Sequence, residues 1–318
     1  MSRLDELINQ DDDSGHRPKR RKPRSTRRSR AQRRLRLKRH GRRAYIRSVY
    51  FLPSLATLGN AVCGFGAIYV AAMVGPAVQT YRDPWAGFFA NGGFSAAGYL
   101  IFLAMAFDAL DGRLARFARH TTDFGGQLDS LADVVSFGAA PAFIALRLFR
   151  LEGPDLPLTM SRLLWAVAAL YMSCAAIRLA RFNVSNEHGE QHHFSFLGLP
   201  SPGAAGAVAA LIIMEEALRH ESFAFTQLLA RACVGILPIV VLASGLLMVS
   251  HFRYPHLVNR YLRGRRSIGR LLAVLSIVLL LLVAHQYTVG LGTLAYAAWG
   301  PVAWSIVRLR RWNRPVPA

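Results

Sequence analysis

Cysteine is nearly absent from this chain of 318 residues: there are three, Cys63, Cys174 and Cys233, each inside an apolar stretch. Their spacing suits no zinc site and nothing suggests a disulfide framework, so they read as small apolar packing residues. The N-terminus lacks an apolar core of signal-peptide type, and the first long apolar run is too long and too late to be one; no signal peptide is expected. No serine stands out beside a histidine and an acid, which leaves serine nucleophile chemistry unsupported. Acidic residues are few, 18 against 39 Lys and Arg, and none occurs from Arg17 to Arg47. So polar and one-signed a stretch cannot bury enough apolar surface to fold alone.

Charge is also missing where the chain is apolar. The hydrophobic fraction is 53%, and it is segregated into runs of about 18–25 residues, the length that crosses a bilayer core of about 30 Å. Eight such segments are predicted: Tyr50–Val74, Ser95–Arg116, Leu128–Leu148, Leu163–Arg181, Phe196–Leu218, Ala232–His251, Ile268–His285 and Val289–Val307. They are continuous rather than alternating and read as helices. The fold class is therefore an all-α polytopic membrane bundle.

The net charge of +21 is concentrated at the N-terminus and between helices. A basic segment entering a membrane span attracts anionic headgroups, at about 1 kcal/mol per Lys or Arg near the surface. Nonspecific nucleic-acid binding is the competing reading, and no specific nucleic acid is expected. Arg33–Arg47 could form an interfacial helix with Leu35, Leu37, Tyr45 and Ile46 toward lipid. Basic residues recur around Arg113, Arg116 and Arg119, from Arg253 to Arg270, and from Arg308 to Arg314. These fit a multi-pass cell-membrane protein with both termini cytoplasmic. Arg147, Arg150 and Arg162 are a mild exception. Three parts are expected: a basic tail (1–47), a membrane domain (48–255), and an additional helical hairpin with a basic end (256–318).

The chemistry is concentrated in DALDGRLARFARHTTDFGGQLDSLAD, residues 108–133. Asp108 and Asp111 are three apart, Asp129 and Asp133 four apart, and both spacings put side chains on one helical face. A loop containing Gly125 and Gly126 is expected to turn the chain back, so that four carboxylates face each other at the membrane boundary. Ionisable groups there are rare and usually functional. A bound divalent cation would offset their repulsion, and oxygen ligands favour Mg²⁺, Mn²⁺ or Ca²⁺ over zinc. The alternative is a salt-bridge cluster with Arg113, Arg116 and Arg119. Gly112 and Ala115 leave room for a nucleotide or diphosphate, and Arg116 offers a fork of donors suited to phosphate.

The fixed positions Asp108, Asp111-Gly112, Ala115-Arg116, Gly125, Asp129 and Asp133 match D-x2-D-G-x2-A-R-x8-G-x3-D-x3-D throughout. This resembles the CDP-alcohol phosphatidyltransferase family. LPSLATLGNAVCGFGAI (52–68), SLADVVSFGAAPAF (130–143), IRLARFNV (177–184), FLGLPSPGAAG (196–206) and LMVSHFRYP (247–255) resemble its bacterial and archaeal phosphatidylserine synthase branch. Ser54 stands where that branch often has Asn. The resemblance implies a six-helix membrane core, often a homodimer, with a cavity open to the cytoplasm. It implies that Asp108, Asp111 and Asp129 hold divalent metal, Mg or Mn, and that Asp133 shares the metal and acts as general base. CDP would be received by Asp108, Gly112, Ala115, Arg116, Gly125 and Thr57. The implied reaction transfers the phosphatidyl group of CDP-diacylglycerol to L-serine, releasing CMP. Arg178, Arg181 and Asn183 could grip the serine carboxylate or merely form a cytoplasmic basic flank. His188, His192 and His193 read as solvated. The rival readings are a relative acting on glycerol 3-phosphate or an inositol phosphate, a cation transporter, and a basic membrane anchor for nucleic acid.

Overall fold

The computed structural model describes residues 54–75, 93–118, 123–153, 155–187, 196–254 and 268–312. The basic tail, the histidine run and the predicted interfacial helix lie outside them. In order the helices are α1 (Ser54–Met73), α2 (Gly93–Ala118), α3 (Asp123–Asp133), a π-helical turn (Val134–Ala139), α4 (Ala140–Glu152), α5 (Leu158–Glu187), α6 (Ser201–His220), α7 (Ala224–Val249), α8 (Ile268–Val283) and α9 (His285–Trp312). Six stretches among the described residues are long and apolar enough to cross a membrane: α1, α2 to Leu114, Phe124–Glu152, α5 to Val184, α6 and α7. With α8 and α9 they account for the eight predicted segments. Helix ends moved outward in several cases; α5 has 30 residues, about 45 Å at 1.5 Å per residue, more than the bilayer core requires.

Two expectations are corrected. Gly125 and Gly126 do not form the turn but lie in the first turn of α3, which starts at Asp123. The fifth segment is not helical from Phe196. Phe196–Leu197 (β1) pairs antiparallel with Arg253–Tyr254 (β2), and α6 starts only after Pro200. Proline biases the residue before it away from helix, and Gly198 has φ +83°, where a Cβ would stand 3.0 Å from Ser250 O. The Gly198 and Leu199 amides donate to Phe252 O and Leu247 O at 2.8 and 2.9 Å. Two of the motif blocks, around 196–206 and 247–255, are thereby joined.

The π-helical turn directly after Asp133 is closely packed. The Ala140 amide bonds back to Val135 O, five residues away. The amide that would serve Phe137 O in an α-helix belongs to Pro141, which has none. The buried Tyr171 hydroxyl of α5 takes its place, donating to Phe137 O at 3.1 Å. On the other side Gly64 of α1 abuts the turn, where a Cβ would lie 2.6 Å from Ser136 Cα. The cysteines are all buried and free, as expected of packing residues.

Chain direction alternates, so helix ends collect at opposite poles. At one pole Arg219 of α6 pairs with Glu152 of α4 and, at 3.5 Å, with Glu215. There Glu216 accepts the Ser95 amide at the start of α2. Arg147, the exception to the charge pattern, donates to Val74 O at 3.0 Å at the end of α1. It serves as a helix cap, which explains why it stands apart from the other basic groups. At the other pole the first turns of α1, α3 and α6 meet the last turns of α2 and α5.

Candidate active site

Two helices supply the carboxylates at this second pole, two from each. Asp108 and Asp111 project from the last turns of α2, Asp129 and Asp133 from α3. Asp108, Asp129 and Asp133 each bring one carboxylate oxygen within 4.8 Å of the others. Asp111 is buried beside them and accepts a hydrogen bond from Thr57 Oγ1 of α1. Asp133 is also buried, 8% exposed, and accepts from Asn60 Nδ2 at 2.9 Å. The backbone at Asn60 is held in turn, its main-chain carbonyl receiving Ser136 Oγ at 2.9 Å. Thr57, Asn60 and Gly64 follow one face of α1 at spacings of three and four, so that face both supports the carboxylates and lets the π-helical turn approach.

Asn60 and Ser136 were not singled out by the sequence reading. The available signal was a polar residue one turn beyond Thr57, on an otherwise apolar helix. Thr57, expected to contact nucleotide, has its hydroxyl turned to Asp111.

The cluster fits a cation. Asp129 Oδ1 is buried without a hydrogen-bond partner, and three convergent carboxylates form an all-oxygen donor set suited to a hard divalent ion. A salt-bridge network fits less well. Arg113 is exposed, and among the described residues no ion pair joins it to the aspartates. The side chains of Ala115 and Arg116, and all of Arg119, fall outside the description. Open space lies beside the carboxylates: a Cβ on Gly112 would meet nothing within 4 Å. Gly125 sits one turn before Asp129 on α3.

A model of the CDP-alcohol phosphatidyltransferase family matches residues 50–242, more than half of the chain. The chain belongs to the CDP-alcohol phosphatidyltransferase family. The match contains all four aspartates together with Thr57, Asn60 and the π-helical turn, and ends before β2, α8 and α9. Similar proteins include the CDP-diacylglycerol–serine O-phosphatidyltransferase of Helicobacter pylori, 33% identical over 66% of this chain and 74% of its own length. The enzyme of that name from Methanocaldococcus jannaschii is 34% identical over 56% and 73%. That from Bacillus subtilis is 28% identical over 65% and 90%. In this transferase-family chain the residues expected to grip an amino acid also gather near the carboxylates. Arg178 of α5 donates from Nη1 to Ser201 Oγ at 3.3 Å and lies within electrostatic reach of Asp133. Asn183 donates to Ser130 Oγ, next to Asp129, at 2.9 Å. Arg181 is half-buried close to Arg178.

Proposed function

We propose that the protein is a CDP-diacylglycerol–serine O-phosphatidyltransferase, converting CDP-diacylglycerol and L-serine to phosphatidylserine and CMP. The observation that carries this reading is the meeting of Asp108, Asp129 and Asp133 within 4.8 Å, beside open space at Gly112, in a chain similar to enzymes of that name. Asp108, Asp111, Asp129 and Asp133 are the residues that would hold Mg²⁺ or Mn²⁺, and such an ion supplies charge neutralisation on a diphosphate. CDP lies along Asp108, Gly112, Ala115, Arg116 and Gly125. Thr57 acts through Asp111, which it orients.

Asp133 accepts the proton of the serine hydroxyl. The hydroxyl oxygen attacks the phosphorus that carries diacylglycerol, forming a new P–O bond, while the bond from that phosphorus to the oxygen of CMP breaks. CMP leaves with the electron pair. No covalent enzyme intermediate is needed. Asn60 holds Asp133 in place, and Arg178, with Arg181 and Asn183, orients the serine carboxylate. Positioning and electrostatics supply most of the acceleration, as in other phosphoryl transfers. The site faces the cytoplasm, following the positive-inside distribution of Arg, and residues 1–47 form a basic tail on that side.

The test is an assay of purified protein with CDP-diacylglycerol and labelled L-serine, glycerol 3-phosphate and inositol phosphate. Phosphatidylserine should form, accompanied by equal CMP, and chelation should stop turnover until Mg²⁺ or Mn²⁺ is restored. Preference for another alcohol would move the chain to a different branch of its family. Cation flux in vesicles without CDP-lipid turnover would favour a transporter.

A further inference from the structure

Helix α9 lies beyond the stretch matched by the family, yet it is not peripheral. It runs antiparallel along α6. A Cβ on Gly290 would meet Met214 Sδ at 3.2 Å, one on Gly206 would meet Thr293 Cγ2 at 3.7 Å, and one on Gly203 would meet Tyr296 Cε1 at 3.1 Å. This seam leads from the pole of Glu215 to the pole of the aspartates, and its last steps reach the start of α6, where Ser201 binds Arg178. Tyr254 of β2 locks the end of the seam. Its ring is 5.7 Å from that of Tyr296, its hydroxyl donates to Ala297 O at 2.9 Å, and a Cβ on Gly300 would stand 2.5 Å from its Cζ.

The two tyrosines differ in one respect. The Tyr254 hydroxyl is satisfied and buried, whereas the Tyr296 hydroxyl makes no hydrogen bond among the described residues, and its ring packs on Gly203, two residues from the Ser201 that binds Arg178. Arg178 also has a donor to spare, for its Nε is buried without a partner. Buried polar groups are normally paired, so the spare donor of Arg178, held on Ser201 at the start of α6, marks a place for a polar ligand group. Half-buried Tyr296 packs on Gly203 of the same helix start, its hydroxyl unbonded among the described residues.

We propose that Tyr296 binds the carboxylate of the acceptor alcohol together with Arg178, so that the C-terminal helix completes the acceptor end of the active site. This rests on the reading of the acceptor as L-serine. Serine carries its carboxylate two carbons from its hydroxyl, which suits a molecule spanning Arg178 and Asp133. A tyrosine hydroxyl donates to a carboxylate but gives little to an acceptor lacking one, so Tyr296 acts on specificity.

The experiment uses the purified full-length chain with CDP-diacylglycerol, measuring KM separately for each substrate. Tyr296→Phe keeps the ring that packs on Gly203 and Tyr254 and removes only the hydroxyl. It should raise the serine KM about 10-fold, the loss of one hydrogen bond to a charged group, with the CDP-diacylglycerol KM unchanged. Tyr254→Phe is the comparison for a structural role: it should lower the melting temperature and leave both KM values unchanged. A serine KM in Tyr296→Phe within twofold of wild type overturns the inference, as does a parallel rise of both KM values. A wild-type protein that forms no phosphatidylserine overturns the serine reading and the inference with it, a failure visible before any variant is made.

Discussion

Asn60 sits between the π-helical turn and Asp133, its backbone carbonyl receiving Ser136 Oγ and its side-chain amide donating to the carboxylate. A base must be held within hydrogen-bond reach of the proton it removes. Asn60→Ala should therefore lower kcat roughly 10-fold or more, with little change in the KM for CDP-diacylglycerol. An unchanged kcat would remove Asn60 from the positioning of Asp133. At this scale the four aspartates were legible because helical spacing and the fixed pattern both picked them out. Asn60 was not: one polar residue on a membrane helix carries no spacing of its own, and its role depends on α1 lying against α3. Arg178 was legible only as one of two readings, a basic flank or a carboxylate grip, and nothing in the sequence marks Ser201 as its hydrogen-bond partner.

The element that decides the geometry is the π-helical turn, which sequence periodicity did not reveal. An extra residue in one helical turn leaves the apolar run intact, so nothing in hydropathy marks it; Pro141, Gly138 and Gly64 are its traces. Apolar length did fix the existence and order of the helices. It failed at Phe196–Leu197, where apolar residues continue but Gly198 and Pro200 impose an extended connection. It failed also at Gly125–Gly126, where glycines suggested a turn and α3 was already under way. Close contact between α1 and the turn gives a direct test. Gly64→Val would drive side-chain atoms into Ser136, whose Cα is already 2.6 Å from an ideal Cβ. Overpacking of this kind costs about 1–3 kcal/mol. The variant should melt at lower temperature and lose turnover, because Asn60 and Asp133 are carried on the two elements forced apart. Normal stability and turnover would contradict this packing.

Across the whole molecule, alternating helix directions divide the polar groups between two poles. Glu152, Glu215, Glu216 and Arg219 tie the bundle at one, and the aspartates, Thr57, Asn60 and Arg178 face each other at the other. The carboxylate pole is thus built from helix ends far apart in sequence, with α9 packed along α6 from outside the family-matched region. The basic residues 1–39 lie outside the described residues. Their deletion should leave turnover in detergent intact while weakening association with anionic vesicles, a contrast read by assay and by vesicle sedimentation. Lost turnover in a correctly folded truncation would make the tail part of the site.

The central claim, that the aspartate cluster divides substrate binding from proton removal with Asp133 as base, is tested most directly by Asp133→Asn beside wild type. Affinity for CDP-diacylglycerol and formation of phosphatidylserine are measured on the same preparations. Asn keeps the shape and an acceptor oxygen but cannot take the serine proton, so turnover should fall by about 10²–10⁴-fold with CDP-diacylglycerol still bound. Near-normal turnover in Asp133→Asn would contradict the account.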